Sequence, residues 1–252
     1  MKITFLGTCH GYPEKNRDYT SIAIETGGCV YLLDAGAAVC EKMLDYDIDP
    51  CNLKSVFITH IHADHMTGLV GLVDAFTWAR VYENVAIDYY LPESRGINEI
   101  KSLVALLCKP VDENKNRFHV YGEHFVYSDE NLKLEVIPTH HLRDWGGYPA
   151  YAFYIEAEGK KILFSGDLSQ NLKYDDFPEI AKTKELDLFI CEMAHFDFEV
   201  LRPHFEECKT KKLYMTHVKF PDERIPLLDA ENQSGKFAFP IIGANDGDVI
   251  EL

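Results

Sequence analysis

The chain has 252 residues, 46% of them hydrophobic and 26% charged, with a formal net charge of −16. That length can bury a full core as a single domain over residues 1–252, and no internal repeat, low-complexity tract or Pro/Gly/Ser-rich linker interrupts it. The acidic balance argues against a long nucleic acid as the main partner, because affinity for phosphate backbones comes largely from Lys and Arg.

The N-terminal run Lys2-Ile3-Thr4-Phe5-Leu6 reads as a strand and lacks the apolar core and cleavage site of a signal peptide. Strands at 20–25 and 29–33 lead to a helix over 35–45 and a strand at 54–58. Helical patterns at 65–80 and 95–107 flank a strand at 85–90, and strands recur at 117–127, 132–138, 149–157 and 161–164. A helix near 171–184, a strand at 187–191, a helix near 196–208 and a strand at 212–216 continue the alternation. Stretches 110–117 and 221–236 read as surface loops. The turn Gly243-Ala244-Asn245-Asp246-Gly247-Asp248 precedes a closing strand, Val249-Ile250-Glu251. Periodicity alone supports a mixed α/β domain. No segment has membrane-spanning length. The seven cysteines lack CxxC or disulfide-like spacing, which suits a reducing cytoplasm, and Cys9, Cys40 and Cys191 read as small core residues.

The chemistry is concentrated in His60-Ile61-His62-Ala63-Asp64-His65, which follows the apolar run Val56-Phe57-Ile58-Thr59. In an extended segment His60 and His62 point to the same side and can reach one ion. A turn into helix after Ala63 would redirect Asp64 and His65 toward a second. A metal-free, histidine-rich strand end would have to find other hydrogen bonds for four neighbouring polar groups. Ligand type and spacing favour metal.

This segment resembles the HxHxDH motif of the metallo-β-lactamase superfamily. Further segments fall in that family's order: Gly7-Thr8-Cys9-His10-Gly11-Tyr12-Pro13 with Arg17, Tyr31-Leu32-Leu33-Asp34-Ala35-Gly36, Pro138-Thr139-His140-His141 with Gly147-Tyr148, Phe164-Ser165-Gly166-Asp167, and Tyr214-Met215-Thr216-His217. The resemblance implies a four-layer αββα sandwich carrying two divalent ions, with zinc the default and manganese or iron the alternatives. It implies one ion on His60, His62 and one of the 140/141 pair, a second on Asp64, His65 and His217, and a bridge from Asp167. Strand parity with Leu132, Leu134 and Val136 would put His140 on the apolar face, whereas the family spacing selects His141.

Such a centre implies a hydrolase that uses a metal-bridging hydroxide, with Asp64 doubling as the group that orients the nucleophile or shuttles a proton. His195, after the apolar strand, is a candidate general acid, set against a capping or surface role. His10 is a candidate lining residue, and Arg143, Trp145 and Tyr148 are candidate substrate contacts or packing residues. His119, His124 and His204 read as structural. The opening loop and the Pro-x-x-His…Gly-Tyr segment are most similar to the ribonuclease Z-like and phosphodiesterase branch. Two departures set this chain apart from tRNA processing. No basic, Gly/Pro-rich insertion lies between His65 and His141, and Cys191-Glu192 stands where that branch often has His-Glu. The expected substrate is therefore a small, anionic phosphodiester. A lactone or thioester hydrolase, a tRNA 3′-processing nuclease and a non-catalytic binding module are the alternatives.

Overall fold

The computed structural model describes residues 1–36 and 38–252. The chain divides into two compact units, one of residues 1–7, 11–121 and 246–251, the other of residues 8–10, 122–245 and 252. Among the described residues each unit carries one seven-stranded mixed sheet with its own helices, so the α/β class read from the sequence holds.

The first unit contains β1 (Lys2–Gly7), β2 (Ser21–Thr26), β3 (Cys29–Leu33), β4 (Leu53–Phe57), β5 (Ile87–Leu91) and β6 (Asn116–Val120). The second contains β7 (Val126–Ser128), β8 (Lys133–Thr139), β9 (Ala150–Ala157), β10 (Lys160–Phe164), β11 (Leu188–Met193), β12 (Leu213–Val218) and β13 (Ile241–Gly243). The chain then returns to the first sheet as β14 (Val249–Glu251), beside β1. Sheet order is β14-β1-β2-β3-β4-β5-β6 and β13-β12-β11-β10-β9-β8-β7.

In the first sheet β3 to β6 run parallel, and in the second β10 to β13 do. Because β8 and β10 are each antiparallel to β9, β8 shares their direction. Parallel strands are covered on both faces, which explains why Ile-Leu-Phe of β10 and Leu-Phe-Ile-Cys of β11 read as continuous apolar runs. Helices α1 (Val39–Asp45), α2 (Ala63–Met66), α3 (Gly68–Trp78) and α4 (Ser94–Leu107) belong to the first unit. Its apolar cluster joins Val39 and Met43 of α1, Leu72 and Phe76 of α3 and Ile100 and Val104 of α4 to Leu32, Val56 and Tyr89 of the sheet. In the second unit, α5 (Ile180–Thr183), α6 (Phe198–Glu207) and α7 (Pro221–Ser234) accompany a cluster built on Phe189, Leu201, Phe205 and Met215.

Several elements differ from the sequence reading. The expected strand over 117–127 is two, β6 and β7, which belong to different sheets. The expected helix over 171–184 reduces to a short turn at Gln170–Leu172 and to α5, because Asn171, Leu172 and Asp175 adopt left-handed φ values of 52°, 50° and 52°. Helix 65–80 is α2 and α3, separated at Thr67. The loop expected over 221–236 is largely α7, and β13 was not anticipated. Residue 37, within the expected helix 35–45, lies outside the described residues; α1 starts at Val39.

Candidate metal centre

Within each unit the expected site residues lie at the C-terminal ends of strands that share a direction, where open sheets commonly bind ligands. In the first unit β4 ends on the buried pair Val56-Phe57, the chain bends at Thr59, and His62 is extended again with a ψ of 152°. Helix α2 begins at Ala63 and redirects Asp64 and His65, as the spacing predicts. The ring of His60 lies 4.7 Å from that of His62 and 4.1 Å from that of His65, centroid to centroid. Asp64 Oδ2 is 3.5 Å from His65 Nε2. A Cβ on Gly11 would sit 3.2 Å from Asp64 Oδ2, so glycine there keeps space beside the carboxylate.

Asp34, just beyond β3, organises these rings. It is fully buried and takes a left-handed φ of 58°, a region Asp tolerates better than most residues. The Thr59 backbone N–H donates to its Oδ1 at 2.7 Å, and the Thr59 hydroxyl donates into the same carboxylate at 2.9 Å. His65 Nδ1–H donates to Oδ2 at 2.7 Å. Since the Thr59 proton is committed to Asp34, Thr59 Oγ1 accepts from His60 Nδ1 at 3.0 Å. Both rings therefore carry hydrogen on Nδ1, the tautomer that offers Nε2 to a metal. Burial pushes the Asp34 pKa up, while the charge and hydrogen bond of His65 pull it back.

In the second unit His141 is buried, and its Nδ1–H donates to the Leu168 carbonyl at 3.1 Å. Its Nε2 lies 3.6 Å from Asp167 Oδ2. Burial lowers its pKa, against the opposing field of Asp167, and favours the neutral ring. His140 is exposed, and its backbone N–H donates to Asp176 Oδ2 at 2.8 Å. Strand parity misleads here because the alternation of β8 slips at Pro138, which is exposed, so Thr139 takes the next buried position.

Asp167 follows β10, and Thr139 Oγ1 donates to its carbonyl at 2.9 Å. His217 Nε2 lies 3.4 Å from Asp167 Oδ2. His217 is the extra residue of a bulge, since Glu192 pairs with Thr216 and Met193 with Val218, and its φ is 52°. A bulge at a strand end re-aims one side chain. The ligating atoms of Asp167, His195 and His217 lie within 4.8 Å of one another.

Glu192, fully buried at the end of β11, holds the next loop. Its Oε1 accepts from Leu168 N at 3.0 Å and from His195 Nδ1 at 2.8 Å, and its Oε2 from Ala194 N at 2.7 Å and His195 N at 3.2 Å. Burial pushes its pKa up, but the His195 charge and hydrogen bond more than offset this and hold it low. His195 is thus a half-buried histidine on a buried carboxylate, with its ring 4.5 Å from that of His141.

His10 is buried, edge-on to His217 at 6.2 Å. Trp145 is 72% exposed and does not pack. Arg143 lies over the Tyr174 ring at 4.5 Å, and together with His140, Tyr148 and Tyr151 it lines a cavity of about 390 Å³. His119 bonds Asp88 at 2.7 Å and His204 stacks on Phe177 at 4.7 Å, as structural residues do. The organising roles of Asp34, Thr59, Glu192 and Asp176 went unassigned in the sequence. Asp34 and Glu192 did carry signals, each an acidic residue ending an apolar strand within a segment that resembles the family.

Imidazoles aimed through Nδ1 hydrogen bonds, together with buried carboxylates, suit divalent cations of the zinc type.

The chain resembles the ribonuclease Z of Methanocaldococcus jannaschii, with 28% identity over 232 residues, 91% of this chain and 68% of that protein. It spans 55–57% of the length of several other ribonuclease Z relatives. Among solved structures, the metallo-β-lactamase fold protein YhfI from Bacillus subtilis superposes with a TM-score of 0.76 at 18% identity, covering 100% of this chain and 98% of that one. The short form of human tRNase Z gives 0.74 at 20% identity, covering 100% and 99%. These likenesses establish the metallo-β-lactamase fold expected from the histidine motif. Residues 1–224 match the family described as Anti-Pycsar protein Apyc1, and the chain belongs to that family.

Proposed function

We propose that this protein is a metal-dependent hydrolase of the metallo-β-lactamase superfamily that cleaves a small phosphodiester. The observation that carries the reading is the set of buried imidazoles whose Nδ1 atoms are already committed, His60 and His65 through Thr59 and Asp34 and His141 through Leu168. One ion would be held by His60, His62 and His141, a second by Asp64, His65 and His217, with Asp167 shared. When bound, such ions acidify water to supply the nucleophile near neutral pH and neutralise charge on the phosphoryl group. Zinc suits the mixed N/O donor set, and manganese or iron would also be accommodated.

The chain's own residues divide the remaining work. Asp64 orients the attacking water and takes up its proton. As the new P–O bond forms and the ester P–O bond breaks, His195 delivers a proton to the departing oxygen, and Glu192 stabilises the charged ring. The net charge of −16 penalises long polyanions more than a small ester that meets mainly the cations. The ribonuclease Z relatives favour a second reading, tRNA 3′ processing. Assay of the metal-replete protein on a 4-nitrophenyl phosphodiester, a lactone panel and precursor tRNA separates these readings. Turnover of the small diester with little tRNA cleavage is expected. Efficient tRNA cleavage, or lactone turnover far above diester turnover, would replace the substrate assignment.

A further inference from the structure

Helix α7 has a weak apolar stripe, with only Leu228 buried among its described residues, yet it places a cation deep in the second unit. Arg224 has a side chain only 16% exposed. Its Nη1 donates to the Met193 carbonyl at 2.6 Å and to the Phe196 carbonyl at 3.1 Å, and its Nη2 donates to Asp197 Oδ1 at 2.7 Å. These three acceptors bracket His195. Met193 and Phe196 are themselves buried, so removal of the guanidinium would strand two carbonyls that water cannot readily reach. From the other side, the Asn171 backbone N–H donates to the His195 carbonyl at 3.1 Å and the Gln170 amide donates to the same oxygen. Glu192 holds the ring and two backbone N–H groups from within. The carbonyls of Met193, His195 and Phe196 are thereby all fixed, and two of the three depend on one residue 28 to 31 positions away.

We infer that Arg224 is a positioning residue for His195: α7 clamps the 193–197 loop through the guanidinium so that the imidazole meets the departing ester oxygen. This rests on the reading of His195 as the group that protonates the leaving group. The fork geometry matters as well as the charge, because one planar group must serve three acceptors, which an ammonium does less well.

A proton donor matters most when the leaving group is poor. A series of methyl aryl phosphates that spans phenol to 4-nitrophenol reads this directly, as the slope of log kcat against leaving-group pKa. His195→Ala should steepen the slope and keep bound metal. Arg224→Met should do the same, with kcat on the phenyl ester down on the order of 10- to 100-fold and on the 4-nitrophenyl ester by less than about threefold. Arg224→Lys, which retains charge and donors, should restore part of the slope and also serves if the methionine variant does not fold. An equal loss on every ester in Arg224→Met, or a wild-type slope in Arg224→Lys with kcat reduced throughout, would overturn the positioning role while the His195 reading stood. An unchanged slope in His195→Ala, or loss of metal from it, would overturn the acid reading and the Arg224 inference with it.

Discussion

At the scale of single residues, the two adjacent histidines differ more than their position suggests. His141 is buried beside Asp167 with its Nδ1 committed to a carbonyl, whereas His140 is exposed and tied into the fold through its backbone. His141→Ala is therefore expected to lose metal and activity, and His140→Ala to keep most of both, by elemental analysis and turnover. The opposite pattern would show that parity along the strand was the better guide. Asp34 carries a different kind of prediction. Asn keeps its shape, but its NH₂ cannot accept from His65 Nδ1–H or the Thr59 hydroxyl. Asp34→Asn should lower metal affinity by about 10- to 100-fold with the fold retained, as measured by competition with a chelator. Wild-type affinity would mean that the rings are held by packing alone. The role of Asp34 was not legible in the sequence because its partners lie 25 and 31 residues away. The HxHxDH residues, by contrast, are local and announce themselves.

At the scale of elements, the register of the motif depends on how α3 starts. Gly68 N donates to the Ala35 carbonyl at 3.0 Å and Ala35 N to the His65 carbonyl at 2.7 Å, so the turn after β3 and the end of the motif are stitched together. A Cβ on Gly68 would lie 1.7 Å from the Gly36 carbonyl oxygen, and its three nearest atoms are all backbone of Ala35 and Gly36, with no flexible side chain to yield. Gly68→Ala should cost about 3 kcal/mol or more in chemical denaturation and lower metal occupancy at the motif. A loss below about 1 kcal/mol would show that α3 can shift freely.

Strands and helices with strong periodicity, such as β4 or α4, were readable in the sequence. Helix α7 was not, because it has almost no apolar stripe and carries Pro226 inside. Its termini did hold signals: Pro221 at the first turn with Asp222 and Glu223, and Gly235 closing it at a φ of 65°. β13 is three residues long, too short for alternation to register. Its outer edge is occupied by a side chain, because Asn232 accepts from Ile241 N at 2.8 Å and donates to its carbonyl at 2.7 Å. That pairing is invisible to any local pattern.

At the scale of the whole molecule, the proposed function sets a net charge of −16 against an anionic substrate, which bound cations would have to draw in. The acidic field is long-range and screened by salt, whereas contact with bound cations is short-range and screened much less. The fold class was legible because the segments that would supply the proposed dinuclear centre are several and each follows a strand. Substrate identity was not legible, because no contact set along the chain spells out the organic part of the ester. The central claim, that hydrolysis depends on two ions held by this ligand set, is tested most directly by titrating metal into chelator-stripped protein while following 4-nitrophenyl diester turnover. The account predicts negligible turnover without metal and a rise that saturates near two equivalents per chain. Full turnover in the stripped protein, or none with two ions bound, would contradict it.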